Sequence, residues 1–166
     1  MAESKKTQDP PERAARVFLC VVDESEELSQ ALHYACRRAK STGGRVALLY
    51  VIELAEFQHW MAIGNLMQEE RREHAEEMLK VISSTVQNQT GQMPIIHIRE
   101  GKVHEELLKL IEEEQSISVL VLGAATGPDG PGPLVSYLVT KMAGRLRVPI
   151  TIVPGSLSDD EIDEIS

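Results

Sequence analysis

Apolar residues along this chain gather into five short runs, most of which do not alternate with polar ones. Arg16 to Val22 (RVFLCVV), Arg45 to Ile52 (RVALLYVI), Ile95 to Arg99, Val119 to Leu122 and Pro149 to Val153 are of strand length. An aliphatic run without alternation is what a strand covered on both faces needs, and such strands belong to parallel sheets. Between the runs the spacing changes to that of helices. From Glu24 to Thr42, the residues Leu28, Ala31, Leu32, Ala35, Cys36 and Ala39 share one face, with Ser25 placed to cap and Gly43-Gly44 to stop the helix. A long helix is predicted from Leu66 to Asn88, with Met78, Leu79, Ile82 and Val86 inward. A third follows Gly101, and a fourth spans Leu134 to Leu146. The order β-α-β-α-β-α-β-α-β predicts an α/β fold: one open five-stranded parallel sheet, right-handed crossovers and helices on both faces.

The ends of the chain differ from the middle. Residues 1–15 offer charge and proline but little to bury and read as a disordered leader, leaving 16–154 as a single domain. Residues 155–166 (GSLSDDEIDEIS) hold five acidic side chains and no basic one. They read as a flexible solvated tail, or as a docking peptide through Leu157, Ile162 and Ile165. The formal charge is −9, from 26 acidic and 17 basic residues, the wrong sign for a partner of nucleic acid. No apolar run approaches the roughly 18–20 residues that span a bilayer, and the first residues lack the apolar core of a secretory signal. Membranes are therefore not expected as partners, and the expected location is cytoplasmic. Cys20 and Cys36 fall on predicted core positions and read as reduced, buried thiols.

In a doubly wound sheet, ligands lie beyond the carboxyl ends of the strands. Two places qualify. Asp23 ends the first strand, where its carboxylate either caps the helix or accepts from an amine or a ribose hydroxyl. The loop Gly123 to Pro133 (GAATGPDGPGP) is rich in glycine and leads into a helix, a setting for anions. It has neither the Gly-Lys-Ser/Thr of a Walker loop nor Gly-x-Gly-x-x-Gly, and Pro128, Pro131 and Pro133 remove three N–H donors. The histidines, at 33, 59, 74, 97 and 104, make no metal spacing; Ser136 lies in no nucleophile elbow. His97, within a strand, reads as a hydrogen-bonded structural residue. Phe57, Trp60, Met61, Ile63, Leu66 and Met67 form an apolar cluster that reads as a packing patch, or as a lid or partner surface.

From Arg16 to Pro154 the chain resembles the universal stress protein family. The resemblance rests on Val22-Asp23-Glu-Ser25-Glu, Leu48-Leu49-Tyr50-Val51-Ile52, Gly101-x-x-x-Glu-Glu-Leu-Leu before Val119-Leu-Val-Leu-Gly123, and Arg147-Val-Pro-Ile-Thr-Ile-Val153. It implies a Rossmann-like strand order 3-2-1-4-5, a homodimer through the last strand, and a stress-response module with unidentified protein partners. Members that bind ATP or AMP carry Gly-x2-Gly-x9-Gly-Ser/Thr after the fourth strand. Here Gly123 matches the first position, while Thr126, Ser136 and Tyr137 replace the others, with Gly127 offering a neighbouring register. Asp23 and Val51 stand at the family's adenine and ribose side. A non-catalytic module with a degenerate nucleotide site is the first expectation, and an ATP- or AMP-binding member the second.

Overall fold

The computed structural model describes residues 14–53 and 61–166, with the backbone alone for 61–65. Five strands, β1 (Val17–Val21), β2 (Arg45–Ile52), β3 (Ile95–Glu100), β4 (Ile117–Ala124) and β5 (Ile150–Pro154), form one sheet in the order β3-β2-β1-β4-β5. All four pairings are parallel. This is the open, Rossmann-like sheet expected from the alternation of elements. β1 lies at its centre, and all five of its residues are buried.

Two cores follow from the pleat. Val17, Leu19 and Val21 point to one face of the sheet, where they meet Leu107, Leu110 and Ile111 of α3 (Val103–Glu113). Phe18, Cys20 and Val22 point to the other, against α1 (Leu28–Thr42) and α2 (Met61–Thr90). Successive side chains of a strand alternate between faces, so a strand apolar throughout serves both. α1 closes on Gly43 at φ 68°, a left-handed position open to glycine. Arg147 fastens the far end of the α3 layer. Its guanidinium donates to the carbonyls of Ile111, Glu114 and Ile117 at 2.7–3.2 Å, which holds the end of α3 to the start of β4.

Several elements depart from the sequence reading. α1 begins at Leu28, and Ser25 does not cap it: the Ser25 N–H and hydroxyl both donate to Asp23 Oδ1. An aspartate turned back on its own following backbone competes with helix initiation. The fourth helix is broken. α4 (Pro133–Tyr137) gives way to a wide π turn over Leu138–Met142. There the Thr140 hydroxyl donates to the Ser136 carbonyl at 2.6 Å, competing for the acceptor a regular helix would use. His97 makes no side-chain hydrogen bond among the described residues; it is half-buried, and burial lowers its imidazole pKa against the pull of Glu114.

The tail is the largest correction. Residues expected to be flexible form α5 (Asp159–Ile165), opened by a capping box in which Ser158 and Glu161 satisfy each other's backbone N–H groups. Ile162 is fully buried in the core beneath α1. Asp163 accepts from His33 Nε2 at 2.8 Å and pairs with Arg37 at 3.1 Å, while Arg38 donates to the Ser166 carbonyl. One buried isoleucine and three basic residues outweigh the charge run that suggested solvation.

Of the apolar cluster, Phe57 and Trp60 lie outside the described residues, as does the leader up to residue 13. Leu66 and Met67 are exposed.

Candidate functional site

The carboxyl ends of β1 and β2 open into a cleft of about 980 Å³, within the range of roughly 300–1,000 Å³ typical of small-molecule sites. Its floor holds Val21, Val51 and Ile52. The layer of α1 and α2 contributes Glu24, Arg71 and His74 to one wall; the start of α3, with Lys102 and His104, and the end of α4, with Tyr137, contribute the other. Asp23 stands at the rim, exposed, with Oδ1 engaged by Ser25. Val51 is buried at 9% exposure, an apolar platform beside it.

The wall of α2 is tied to the sheet. His74 Nε2 lies 2.7 Å from Glu24 Oε1, and Arg71 donates to the Glu53 carbonyl at 2.5 Å. Tyr50 lies among them, and its phenol pKa is raised by burial first, then by the Glu24 carboxylate, against the opposing charge of Arg71. On the far wall the rings of His104 and Tyr137 stack with centroids 4.4 Å apart and planes tilted by 38°. Neither Lys102 nor His104 has an ion pair or a side-chain hydrogen bond among the described residues.

The residues singled out in the sequence divide. Asp23, Val51 and Tyr137 come together in this cleft. Gly123 lines a smaller adjoining pocket of about 300 Å³, between the start of α1 and the loop after β4. A Cβ on Gly123 would stand 2.4 Å from the Glu27 carbonyl oxygen, so the position is glycine because β4 and the α1 entry touch there. Thr126, Gly127 and Ser136 line neither space, and all three are exposed. The loop also folds on itself: the Ala125 N–H donates to the Pro131 carbonyl at 3.0 Å. That donor and the three proline nitrogens are unavailable to an anion.

Arg71, His74, Lys102 and His104 were not foreseen. Arg71 and His74 sit in the heavily charged first half of the long helix, and Lys102 and His104 flank a helix start without any spacing signal. A hint was present in Gly101, which marks the turn that brings them to the rim, where its N–H donates to the Ile52 carbonyl at 3.0 Å.

What the cleft offers is binding chemistry: carboxylate acceptors at Asp23 and Glu24, an apolar floor, and basic side chains along both walls. None of the described residues lining it is Ser, Thr or Cys. Among the described residues no group of three His, Cys, Asp or Glu side chains could hold a metal ion, and no helix is long and apolar enough to cross a membrane.

An open parallel sheet with a crevice beyond the carboxyl ends of β1 and β2 defines the class of Rossmann-like α/β domains. The chain belongs to the universal stress protein family, whose model matches residues 15–154. Among solved structures it is similar to the universal stress protein UspA from Lactobacillus plantarum, at 17% identity and TM-score 0.72, over 85% of this chain and 98% of that one. A universal stress protein from Archaeoglobus fulgidus in complex with dAMP matches at 14% identity and TM-score 0.61, covering 85% and 99%. Another universal stress protein, in complex with cAMP, matches at 15% and 0.59, covering 87% and 100%. At such identities the likeness is one of fold. No curated protein matches the chain by sequence.

Proposed function

We propose that this protein is a non-catalytic, homodimeric regulatory module of the stress response, cytoplasmic, whose cleft keeps the base side of a nucleotide site and lacks its polyphosphate side. One observation carries the reading: Asp23 and Val51 face the cleft, whereas Thr126, Gly127 and Ser136 do not. Nucleotide binding by relatives of the same fold, with dAMP and with cAMP, supports the base side. The prolines and the internal bond of Ala125 argue against a cradle for the β- and γ-phosphates.

The test is ligand-linked stability. A ligand at 100 times its dissociation constant stabilises by about 2.7 kcal/mol, well within the reach of a thermal shift. Adenosine is expected to raise the melting temperature, and ATP with Mg²⁺ to raise it no further. Stoichiometric ATP released from the boiled, purified protein would overturn the proposal in favour of the ATP-binding alternative. Dimerisation would use β5, an edge strand on which Ile152 is 38% exposed.

A further inference from the structure

We propose that the cleft carries a phosphate subsite on the α3 wall, formed by Lys102 and His104, and that its ligand is a nucleoside with a single phosphate. The inference rests on the base-side reading above and adds to it a place for the anion away from the loop after β4.

The charges of the cleft are unequally committed. Of its basic side chains, His74 is paired with Glu24, and Arg71 donates to the Glu53 carbonyl. Lys102 and His104 face the same space and are bound to no protein acceptor among the described residues. The carboxylates Asp23, Glu24 and Glu53 belong to the ends of β1 and β2, so the sheet side presents acceptors and the α3 wall presents donors. A ligand with hydroxyl or amine donors at one end and an anion at the other meets that gradient in one orientation.

Tyr137 makes the relocation necessary. Its ring lies against His104 at 4.4 Å and takes up space on the α4 side of the cleft. The bulk that narrows the α4 side also braces the His104 imidazole at the cleft. A lone ammonium and one imidazole suit one phosphate. Three phosphates would need further donors, and the proline-bearing loop does not provide them.

The experiment compares adenosine, AMP and ATP by titration calorimetry on the full chain, in wild type and in Lys102→Met, His104→Gln, the double variant and a Lys141→Met control. Wild type should prefer AMP to adenosine by about tenfold, the scale of one hydrogen bond to a charged group. Each single variant should lower that preference and the double should abolish it, with adenosine affinity unchanged and the Lys141→Met control behaving as wild type. Lys102 is exposed, so its single variant keeps the fold and suffices if the double does not. Equal affinity for adenosine and AMP, or a preference that survives in Lys102→Met and in His104→Gln, would overturn the subsite while leaving the base side intact. Failure of adenosine to bind would instead overturn the base-side reading. ATP binding more tightly than AMP would return the polyphosphate to the site and overturn both.

Discussion

Gly123 and Gly127 lie four positions apart in the same stretch, yet their surroundings predict opposite outcomes. A methyl at 123 would sit inside contact distance of the Glu27 backbone, whereas a Cβ at 127 meets nothing within 4 Å. Gly123→Ala should destabilise by about 1–3 kcal/mol through overpacking against a backbone that cannot rotate away. Gly127→Ala should stay within about 0.5 kcal/mol of wild type. Urea denaturation measures both, and a silent Gly123→Ala would return that glycine to a ligand role. Arg147 offers a second residue-level test. Removing its guanidinium in Arg147→Met leaves the Ile111, Glu114 and Ile117 carbonyls short of a donor, an expected loss of about 1–3 kcal/mol by the same assay. The thiols give a pH signature. Burial pushes Cys36 up to about 12 and raises Cys20 as well, with Cys36 adding to the effect on Cys20. The folded state therefore favours the protonated thiols. Stability from this source is fully present below the ordinary value of 9.0 and is lost as pH rises from there towards 12. The melting temperature should fall over that window more steeply in wild type than in Cys36→Ala, and a parallel decline would refute the assignment.

At the level of elements, what could be read from the sequence was what burial dictates. Five strands announced themselves because a run such as Leu48-Leu49 has no aqueous side in a covered sheet. Helix ends were less legible. Ser25 looked like a cap, but Asp23 lay two residues away and captured its hydroxyl. α5 was missed because its charge was counted before its pattern. The pairing of Ser158 with Glu161 was a capping signature in plain view, and Ile162 sat one residue beyond it. The consequence is measurable: Ile162→Ala should cost about 2–5 kcal/mol, the usual range for emptying a buried isoleucine site. Hydrogen exchange should then speed up in α1 as well as in α5. An unchanged melting temperature would mean that the helix is not docked in solution.

For the whole molecule, the topology placed the site before any side chain did. Parallel strands bring the ends of β1 and β2 to one rim, so Asp23 could be named from topology as a neighbour of a crevice, while Val51 was named through the family resemblance. The basic walls could not, because Arg71 and His104 line one cleft only once α2 and α3 have packed on opposite faces of the sheet. The same topology leaves β3 and β5 as edges. Sedimentation should report a dimer at micromolar concentration, and Ile152→Lys on β5 should yield a monomer; a wild-type monomer would contradict the β5 interface.

The central position of β1 also sets the tempo of assembly. Its first strand residue, Val17, donates to Ser118 Oγ across 101 residues of chain, whereas its pairing with β2 closes a far shorter loop. Closure entropy grows with the span, so the β1–β2–β3 half can register while β1 still has one side vacant. During that interval the most apolar strand of the protein waits for a partner that is synthesised last but one. Pulse-labelled refolding should find amides of β2 protected ahead of those of β5, and nascent chains that end short of residue 117 should be the ones that clump.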